Sequence, residues 1–489
     1  MNQKLEAFRR AICGKRVSVI GLGVSNLPVI DFLLHCGASV VGRDKKTQEA
    51  LGDTADTLLQ KGVTLRLGDD YLSDIREDAI FKAPGIRPDL PEFLEAQARG
   101  CALTSEMEIF LALCPAPIFA VTGSDGKTTT TTLIYTMLTA QAEADGNGRC
   151  VYVGGNIGRP LLPLIEEIRE EDYVVLELSS FQLQAVNTGR SLQAWPYTAC
   201  ITNVTPNHLN WHTDMEEYTA AKMQIFQNQD AAGRLILNYE NEITRRMTSP
   251  AGAHTTMFSS VRDITPCLLE NAECRADAVI YEKDGSIVLR TDAEEEPFPI
   301  VAISDILLPG RHNVENYMTA IAALRGCITP ETVVTTARTF GGVAHRQEFV
   351  CEHEGVRYYN SSIDSSPTRT IAALHAFPQK LIVILGGADK GVPFDTLAEP
   401  LAEHAKAVVL TGAARNKIAA ALQESASFRE SGVRVCIEPD FLAAIDAARA
   451  AASPGDIVIL SPACTSFDAF PNFEVRGNTF KAHVLKFSS

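Results

Sequence analysis

Strand-like and helix-like patterns alternate along almost all of this 489-residue chain, which predicts an α/β fold of three domains, each on a mostly parallel sheet. Three observations carry that expectation. A strand, a turn with two glycines and a helix follow one another near residue 20. The same order recurs near residue 122, now with a lysine and hydroxyls in the turn. From residue 343 onward, five strand-like runs alternate with helical ones. Breaks at Cys114-Pro115 and near Val343 divide the chain into 1–114, 115–342 and 343–489.

Composition narrows the class. With 46% apolar and 21% charged residues the chain has material for several cores, and no run approaches the roughly 20 apolar residues that cross a bilayer. The opening residues Met1 to Arg10 lack the apolar centre of a signal peptide, so the expectation is a cytoplasmic protein with no membrane partner. Twelve cysteines without a C-x-x-C pair argue against a zinc site and a disulfide scaffold. A formal charge of −16 opposes general nucleic-acid binding, so an anionic ligand would be held by local devices such as loops and helix ends. A monomer is expected.

In the first domain, Arg16 to Ile20 reads as a strand, Gly21 to Asn26 as a turn, Leu27 to Cys36 as a helix, and Ala38 to Val41 as a strand ending near Asp44. This is the layout of a dinucleotide-binding, Rossmann-like unit, with an acidic residue about 20 positions past the turn. Asn26 replaces the third fingerprint glycine, which disfavours NAD and leaves two readings: another nucleotide or pyrophosphate ligand, or a structural tight turn. Lys82-Ala83-Pro84-Gly85-Ile86 sets a second turn at a strand end, where open parallel sheets bind ligands; a plain turn explains it equally well.

The second domain opens on Ala120-Val121-Thr122-Gly123-Ser124-Asp125-Gly126-Lys127-Thr128-Thr129, flanked by Pro117-Ile118-Phe119 and by helically spaced Leu133, Ile134, Met137 and Leu138. The N–H groups of such a turn point at an anion, Lys127 adds a point charge, and Thr128 or Thr129 offers Mg²⁺ a hydroxyl. The spacing G-x-x-G-K-T is shorter than that of the common phosphate loop, so an ordinary strand-to-helix turn competes. Five successive threonines, Thr128 to Thr132, are poor helix formers, and their use at a helix start favours a nucleoside triphosphate site in a P-loop ATPase-like sheet.

Within Tyr173 to Ser180, Glu177 interrupts an apolar strand, and a carboxylate there is costly unless paired or holding a cation. A Mg²⁺-organising role is favoured over a satisfied buried carboxylate. The loop Asn203 to His212 carries two histidines, yet His208 by itself reads more readily as a loop histidine than as a ligand. Lys222, in the helical pattern Tyr218 to Phe226, reads as a solvated or snorkelling lysine. Asp284-Gly285 between strand-like runs predicts a hairpin, and Asn313 reads as the N-cap of a helix from Tyr317 to Leu324, with Asn316 in its first turn.

The third domain has strands at Val356 to Tyr359, Leu381 to Leu385, Ala407 to Leu410, Val433 to Cys436 and Asp456 to Leu460, a second Rossmann-like pattern. Polar clusters follow the strand ends at Asn360-Ser361-Ser362, Gly386 to Lys390 and Ser461 to Asp468, the expected ligand rim.

Together these stretches resemble the Mur ligases, ATP-dependent amino-acid-adding enzymes of peptidoglycan precursor synthesis. The likeness covers essentially the whole chain and rests on ordered motifs: Val121 to Thr129, Glu177 to Leu183, Asn203 to His208, Gly310 to Asn316, His345-Arg346 and Ser461 to Gly477. It is strongest for the branch that joins D-glutamate to UDP-N-acetylmuramoyl-L-alanine. The resemblance implies that Gly123, Ser124, Asp125, Gly126, Lys127, Thr128 and Thr129 hold the ATP phosphates, and that Asn313, Asn316 and Arg346 hold the adenine and ribose. It also implies two Mg²⁺ ions, one organised by Thr128 and Glu177, the other by His208 and by Lys222 as a carbamate formed with CO₂. Lys127, Glu177, His208 and Lys222 are then the catalytic set. The uridine substrate would lie on Val24, Ser25, Asp44, Pro84, Gly85 and Asn156, and D-glutamate on Lys390, Ser466 and Phe473.

The sequence departs from its look-alikes at Asn360 to Ser365, where D-glutamate-adding enzymes often read Asn-Asp-Ser-Lys-Ala-Thr. By the resemblance, the absent Asp puts one ribose contact in question, the absent Lys weakens the match to this loop, and Ser365 stands in for the threonine hydroxyl. It lacks the Asp-Asn-Pro-Arg motif of the diaminopimelate- or lysine-adding relative, which favours D-glutamate. Two other readings stay open: a folylpolyglutamate synthetase-like ligase, against which the Gly21 to Asn26 turn argues, and a non-catalytic ATP-binding module.

Overall fold

The alternation is realised as three sheets in a computed structural model that describes residues 2–23, 25–158, 160–186, 196–209, 211–269, 272–389 and 391–488. The first sheet holds β1 (Arg16–Ile20), β2 (Ser39–Asp44), β3 (Thr64–Leu67), β4 (Ala79–Lys82) and β5 (Ala102–Thr104) in the order β3-β2-β1-β4-β5, all parallel. The central strand β1 and its neighbour β4 are buried nearly end to end, as expected of a sheet covered on both faces.

The second sheet contains β6 (Ile118–Thr122), β7 (Val151–Gly155), β8 (Tyr173–Glu177), β9 (Thr198–Ile201), β10 (Arg234–Asn238), β11 (His254–Ser259), β12 (Ala278–Lys283), β13 (Ser286–Arg290) and β14 (Phe298–Ala302), ordered β14-β13-β12-β11-β10-β9-β6-β8-β7. The strands from β7 across to β12 are parallel, while β13 and β14 add an antiparallel edge. The hairpin falls at Asp284-Gly285 as the sequence predicts, with φ of 50° and 75°, the two positive values a tight hairpin turn needs.

The third sheet runs β15 (Glu348–His353), β16 (Val356–Asn360), β17 (Leu381–Gly386), β18 (Ala405–Thr411), β19 (Arg434–Ile437) and β20 (Ile457–Leu460) in the order β15-β16-β20-β17-β18-β19. Only β15, which the sequence reading did not anticipate, is antiparallel. The chain forms two compact units, Met1–Asp305 with Val314–Ala337, and Ile306–Asn313 with Arg338–Ser489. The first unit carries the first two sheets, the second the third. Among the described residues no helix is long and apolar enough to cross a membrane.

One element begins earlier than its pattern suggested. The helix expected from Tyr317 starts at Arg311 and runs to Ala323, so Asn313 lies in its first turn and is not the N-cap. Gly310, at φ 96°, makes the bend that lets the helix start there, and the Asn313 amide donates instead to the Pro309 carbonyl at 2.7 Å.

Candidate active site

The phosphate turn is built by the end of β6 and pinned from the neighbouring strand. Ser124 N–H donates to the Asn203 carbonyl and Asp125 N–H to the Asn203 side chain, each at 2.9 Å. The Ser124 hydroxyl donates to the Thr205 carbonyl and shares a 3.0 Å hydrogen bond with the Tyr218 hydroxyl. Two glycines are required sterically: a Cβ on Gly123 would lie 1.9 Å from Thr202 Oγ1, and one on Gly126, at φ 78°, would lie 2.5 Å from Asn316 Oδ1. Gly126 leads directly into the helix Lys127–Asp145. Of the five threonines, Thr128, Thr129 and Thr132 are half-buried, while Thr130 and Thr131 face the core. Thr130 donates to Asn316 Oδ1, which brings the predicted ATP residue Asn316 to the cradle.

The cradle is rich in positive charge. Lys127 Nζ donates to the Gly123 and Ser124 carbonyls at 2.9 and 2.8 Å, and Lys222 Nζ donates to the same Gly123 carbonyl at 2.7 Å. Lys222 is therefore not the solvated lysine that helical position alone suggests. It is 1% exposed, packed over the Tyr218 ring at 4.5 Å, and its pKa falls to about 7, first through desolvation and then through Lys127. Two lysine Nζ atoms on one carbonyl disfavour a second positive charge at Lys222, and the remaining Lys127 charge suits an anion.

Glu177, at the end of β8, is 1% exposed; its Oε1 accepts from Asn156 at 2.8 Å, and its Oε2 has no protein partner. A buried carboxylate oxygen left open beside a phosphate cradle fits a Mg²⁺ ion, which commonly takes one or two carboxylates plus phosphate oxygens and water. His208 adopts φ 55°, rare outside glycine, and its pKa is lowered by desolvation, then by Lys127 and Lys222, which keeps the imidazole in its ligating neutral form. Its ring meets Phe181 edge-on at 5.0 Å, and Phe181 stacks on His212 at 5.9 Å. Among the described residues no group of three or more His, Cys, Asp or Glu clusters as a metal site. Glu177 and His208 offer a carboxylate oxygen and a neutral nitrogen, donors of the kind a divalent cation takes.

At the glycine turn of the first domain, Ser25, Asn26, Pro84, Glu106 and Asn156 line one cavity of about 210 Å³. Asn26 shows why a glycine was dispensable: its buried amide donates to the Ile20 and Gly21 carbonyls, both at 3.0 Å, and ties the turn shut. Asp44 accepts from Leu22 N–H at 2.7 Å and Lys46 N–H at 2.9 Å, so it orders the same turn. Gly85 is exposed at the end of β4. Glu106, missed by sequence reading, is held at a pKa of about 7 by desolvation, opposed by the Leu162 and Leu161 amides. Its position in a first helical turn gave no signal of the cavity. Val24 lies outside the described residues.

The second unit carries Asn313, Arg346, Ser466 and Phe473. Asn313 is buried and Arg346 exposed. Ser466 is buried, and the Phe473 carbonyl, which begins the helix Phe473–Val484, accepts from the Ser362 hydroxyl at 2.8 Å. Arg476 ties that loop down through Ser362 Oγ, the Ser362 carbonyl and the Cys464 carbonyl. In the divergent loop, Asp364 accepts from Ser461 Oγ at 2.8 Å, and burial lifts its pKa to about 6. Lys390 lies outside the described residues.

A lysine-bearing glycine turn on a parallel sheet, beside a buried acid with an open oxygen, defines a phosphate-binding α/β protein of the kind that uses a nucleoside triphosphate. Comparison specifies the group. Residues 121–324 match the Mur ligase middle domain and residues 345–464 the Mur ligase glutamate ligase domain. The UDP-N-acetylmuramoylalanine–D-glutamate ligase of Ruminiclostridium cellulolyticum is 46% identical over 487 residues, and that of Clostridium novyi 44% over 485, each match covering 99% of both chains. A crystal structure of UDP-N-acetylmuramate-alanine ligase from Thermotoga maritima aligns over 97% of this chain and all of its own, with a TM-score of 0.52 at 17% identity, a likeness of fold. The chain belongs to the Mur ligase family, whose members are ATP-dependent ligases.

Proposed function

We propose that this chain joins D-glutamate to UDP-N-acetylmuramoyl-L-alanine at the expense of ATP, the activity that the names of its 46% and 44% identical relatives describe. The observation that carries the chemistry is the Lys127 ammonium and the buried Lys222 amine meeting on the Gly123 carbonyl, beside the open oxygen of Glu177. A carboxylate oxygen of the uridine substrate attacks the γ-phosphorus, the bond to the β-phosphate oxygen breaks, and ADP leaves. The resulting acyl phosphate is attacked at its carbonyl carbon by the D-glutamate amine. The tetrahedral species expels inorganic phosphate as the amide closes and the amine loses its proton. Lys127 and the N–H groups at the start of its helix neutralise charge on the transferring group, the Ser124 and Asp125 amides being taken by Asn203.

Thr128, Glu177, His208 and Lys222 would hold two Mg²⁺ ions, which supply Lewis-acid neutralisation of phosphate charge. For Lys222 that role requires the carbamate, and its depressed pKa supports it, because only a neutral amine attacks CO₂. Asn313, Asn316 and Arg346 take the adenosine end; Val24, Ser25, Asp44, Pro84, Gly85 and Asn156 take the uridine substrate; Lys390, Ser466 and Phe473 take D-glutamate. We assign these tasks to domains 1–114, 115–342 and 343–489 of a monomeric cytoplasmic enzyme. The test combines the chain, ATP, Mg²⁺ and UDP-N-acetylmuramoyl-L-alanine with D-glutamate, L-glutamate or diaminopimelate and reads product mass. A product with D-glutamate alone is expected; product with diaminopimelate only would overturn the assignment.

A further inference from the structure

Beyond the residues that meet ligands, Arg87 stands where two parts of the first unit join. It follows the Pro84-Gly85 turn of the first sheet by two residues, yet its guanidinium reaches the second sheet's catalytic loop. Nε and Nη2 grip Asp89 in a fork, both at 2.8 Å. Nη1 donates to the Trp211 carbonyl at 2.6 Å, and Nη2 also donates to Glu217 Oε1 at 3.1 Å. Both distal partners lead to the proposed metal ligands. Trp211 N–H donates to the His208 carbonyl at 2.9 Å, which closes the tight turn bearing His208. Glu217 lies in the first turn of the helix Met215–Met223 that carries Lys222.

The network around this contact is closed. Glu217 Oε2 accepts from the Thr213 N–H and hydroxyl at 2.6 and 2.9 Å, Gln184 donates to Glu217 Oε1 at 2.7 Å, and Trp211 Nε1 donates to Gln184 Oε1 at 3.0 Å. A guanidinium committed to two carboxylates and a carbonyl is not set up to receive a substrate phosphate. Partly exposed ion pairs also stabilise a fold little, so the consequence of the arrangement is geometric.

We propose that Arg87 is a positioning residue that couples occupancy of the uridine-binding turn to the placement of the His208 loop and the Lys222 helix. The inference rests on the uridine-substrate reading of the first sheet. Trp211 is one of two tryptophans, which gives the coupling its own optical report.

The test uses the full-length chain with Trp195→Phe, so that Trp211 alone reports, with and without Arg87→Ala. UDP is added while calorimetry follows its binding and fluorescence follows Trp211. The expected result is an emission shift on UDP binding that disappears in Arg87→Ala although UDP still binds. In turnover assays, Arg87→Ala should lower kcat about 30-fold and raise the Mg²⁺ concentration for half-maximal rate about 10-fold, the scale of losing an outer partner of a metal ligand. Its KM for ATP should stay within about twofold, since the phosphate turn is held independently by Asn203. Arg87→Lys should recover only part of the rate, because an ammonium cannot form the fork. Glu217→Gln, which leaves the Trp211 contact in place, should be milder and guards against a folding defect in Arg87→Ala. UDP that binds without moving Trp211, or wild-type kcat and Mg²⁺ dependence in Arg87→Ala, overturns the coupling. Absence of UDP binding to the parent chain overturns the uridine reading, and the coupling with it.

Discussion

Two turns in the first unit share one plan and gather different side chains. Gly21 to Asn26 and Gly123 to Gly126 each leave a buried parallel strand and enter a helix. The first is closed chiefly by Asn26, which donates to the Ile20 and Gly21 carbonyls, while Asp44 at the end of β2 takes the Leu22 amide and Pro28 lies in the first turn of the helix that follows. The second is held from outside by Asn203, Thr205 and Tyr218 and gathers two lysines on one carbonyl. A glycine turn at a strand end is thus a scaffold, and the charges brought to it decide whether it suits an anion.

That contrast can be broken from either side. Lys127→Ala should lower ligase kcat by about 10³-fold, the loss expected when a preorganised charge on the transferring group is removed, as measured by phosphate release. Lys222→Ala should lose about 10²-fold in an outer-partner or ligand role and regain part of it with added short-chain carboxylates, whereas loss without rescue would remove the carbamate. With the Lys222 pKa near 7, the neutral amine gains as pH rises, so activation by CO₂ should be weaker at about pH 6 than at about pH 8 in rate assays at fixed bicarbonate.

Gly126→Ala tests steric fit in the second turn. A side chain at φ 78° that meets Asn316 should raise the KM for ATP about 10-fold and cost about 1–3 kcal/mol of backbone strain. Asn26→Ala tests the first turn and should be the mildest, lowering stability by about 1–2 kcal/mol in denaturant titrations, with near-normal kcat at saturating substrate. A large kcat loss from Asn26→Ala would place it in the chemistry.

What was legible in the chain follows the reach of each signal. Buried parallel strands announce themselves as apolar runs, and Gly-x-x-Gly-Lys-Thr binds its own meaning within six residues, so three sheets and the cradle could be read in order. Lys222 could not, because helix position says nothing about the carbonyl of Gly123 that lies 99 residues away in sequence. The same holds for Tyr218 on Ser124 and for Arg87 on Trp211 and Glu217, contacts that only tertiary packing creates. Edge strand β15 escaped because Glu348–His353 is neither uniformly apolar nor alternating. Asn313 was misplaced since a cap and a first-turn residue look alike until Gly310 fixes where the helix begins.

The central claim is that the cradle aims the γ-phosphate at a substrate carboxylate. It is tested most directly by running the reaction with UDP-N-acetylmuramoyl-L-alanine labelled with ¹⁸O in its carboxylate and weighing the phosphate released. Transfer through an acyl phosphate carries one ¹⁸O from the substrate into inorganic phosphate with each amide formed. Amide formation with unlabelled phosphate would contradict the account.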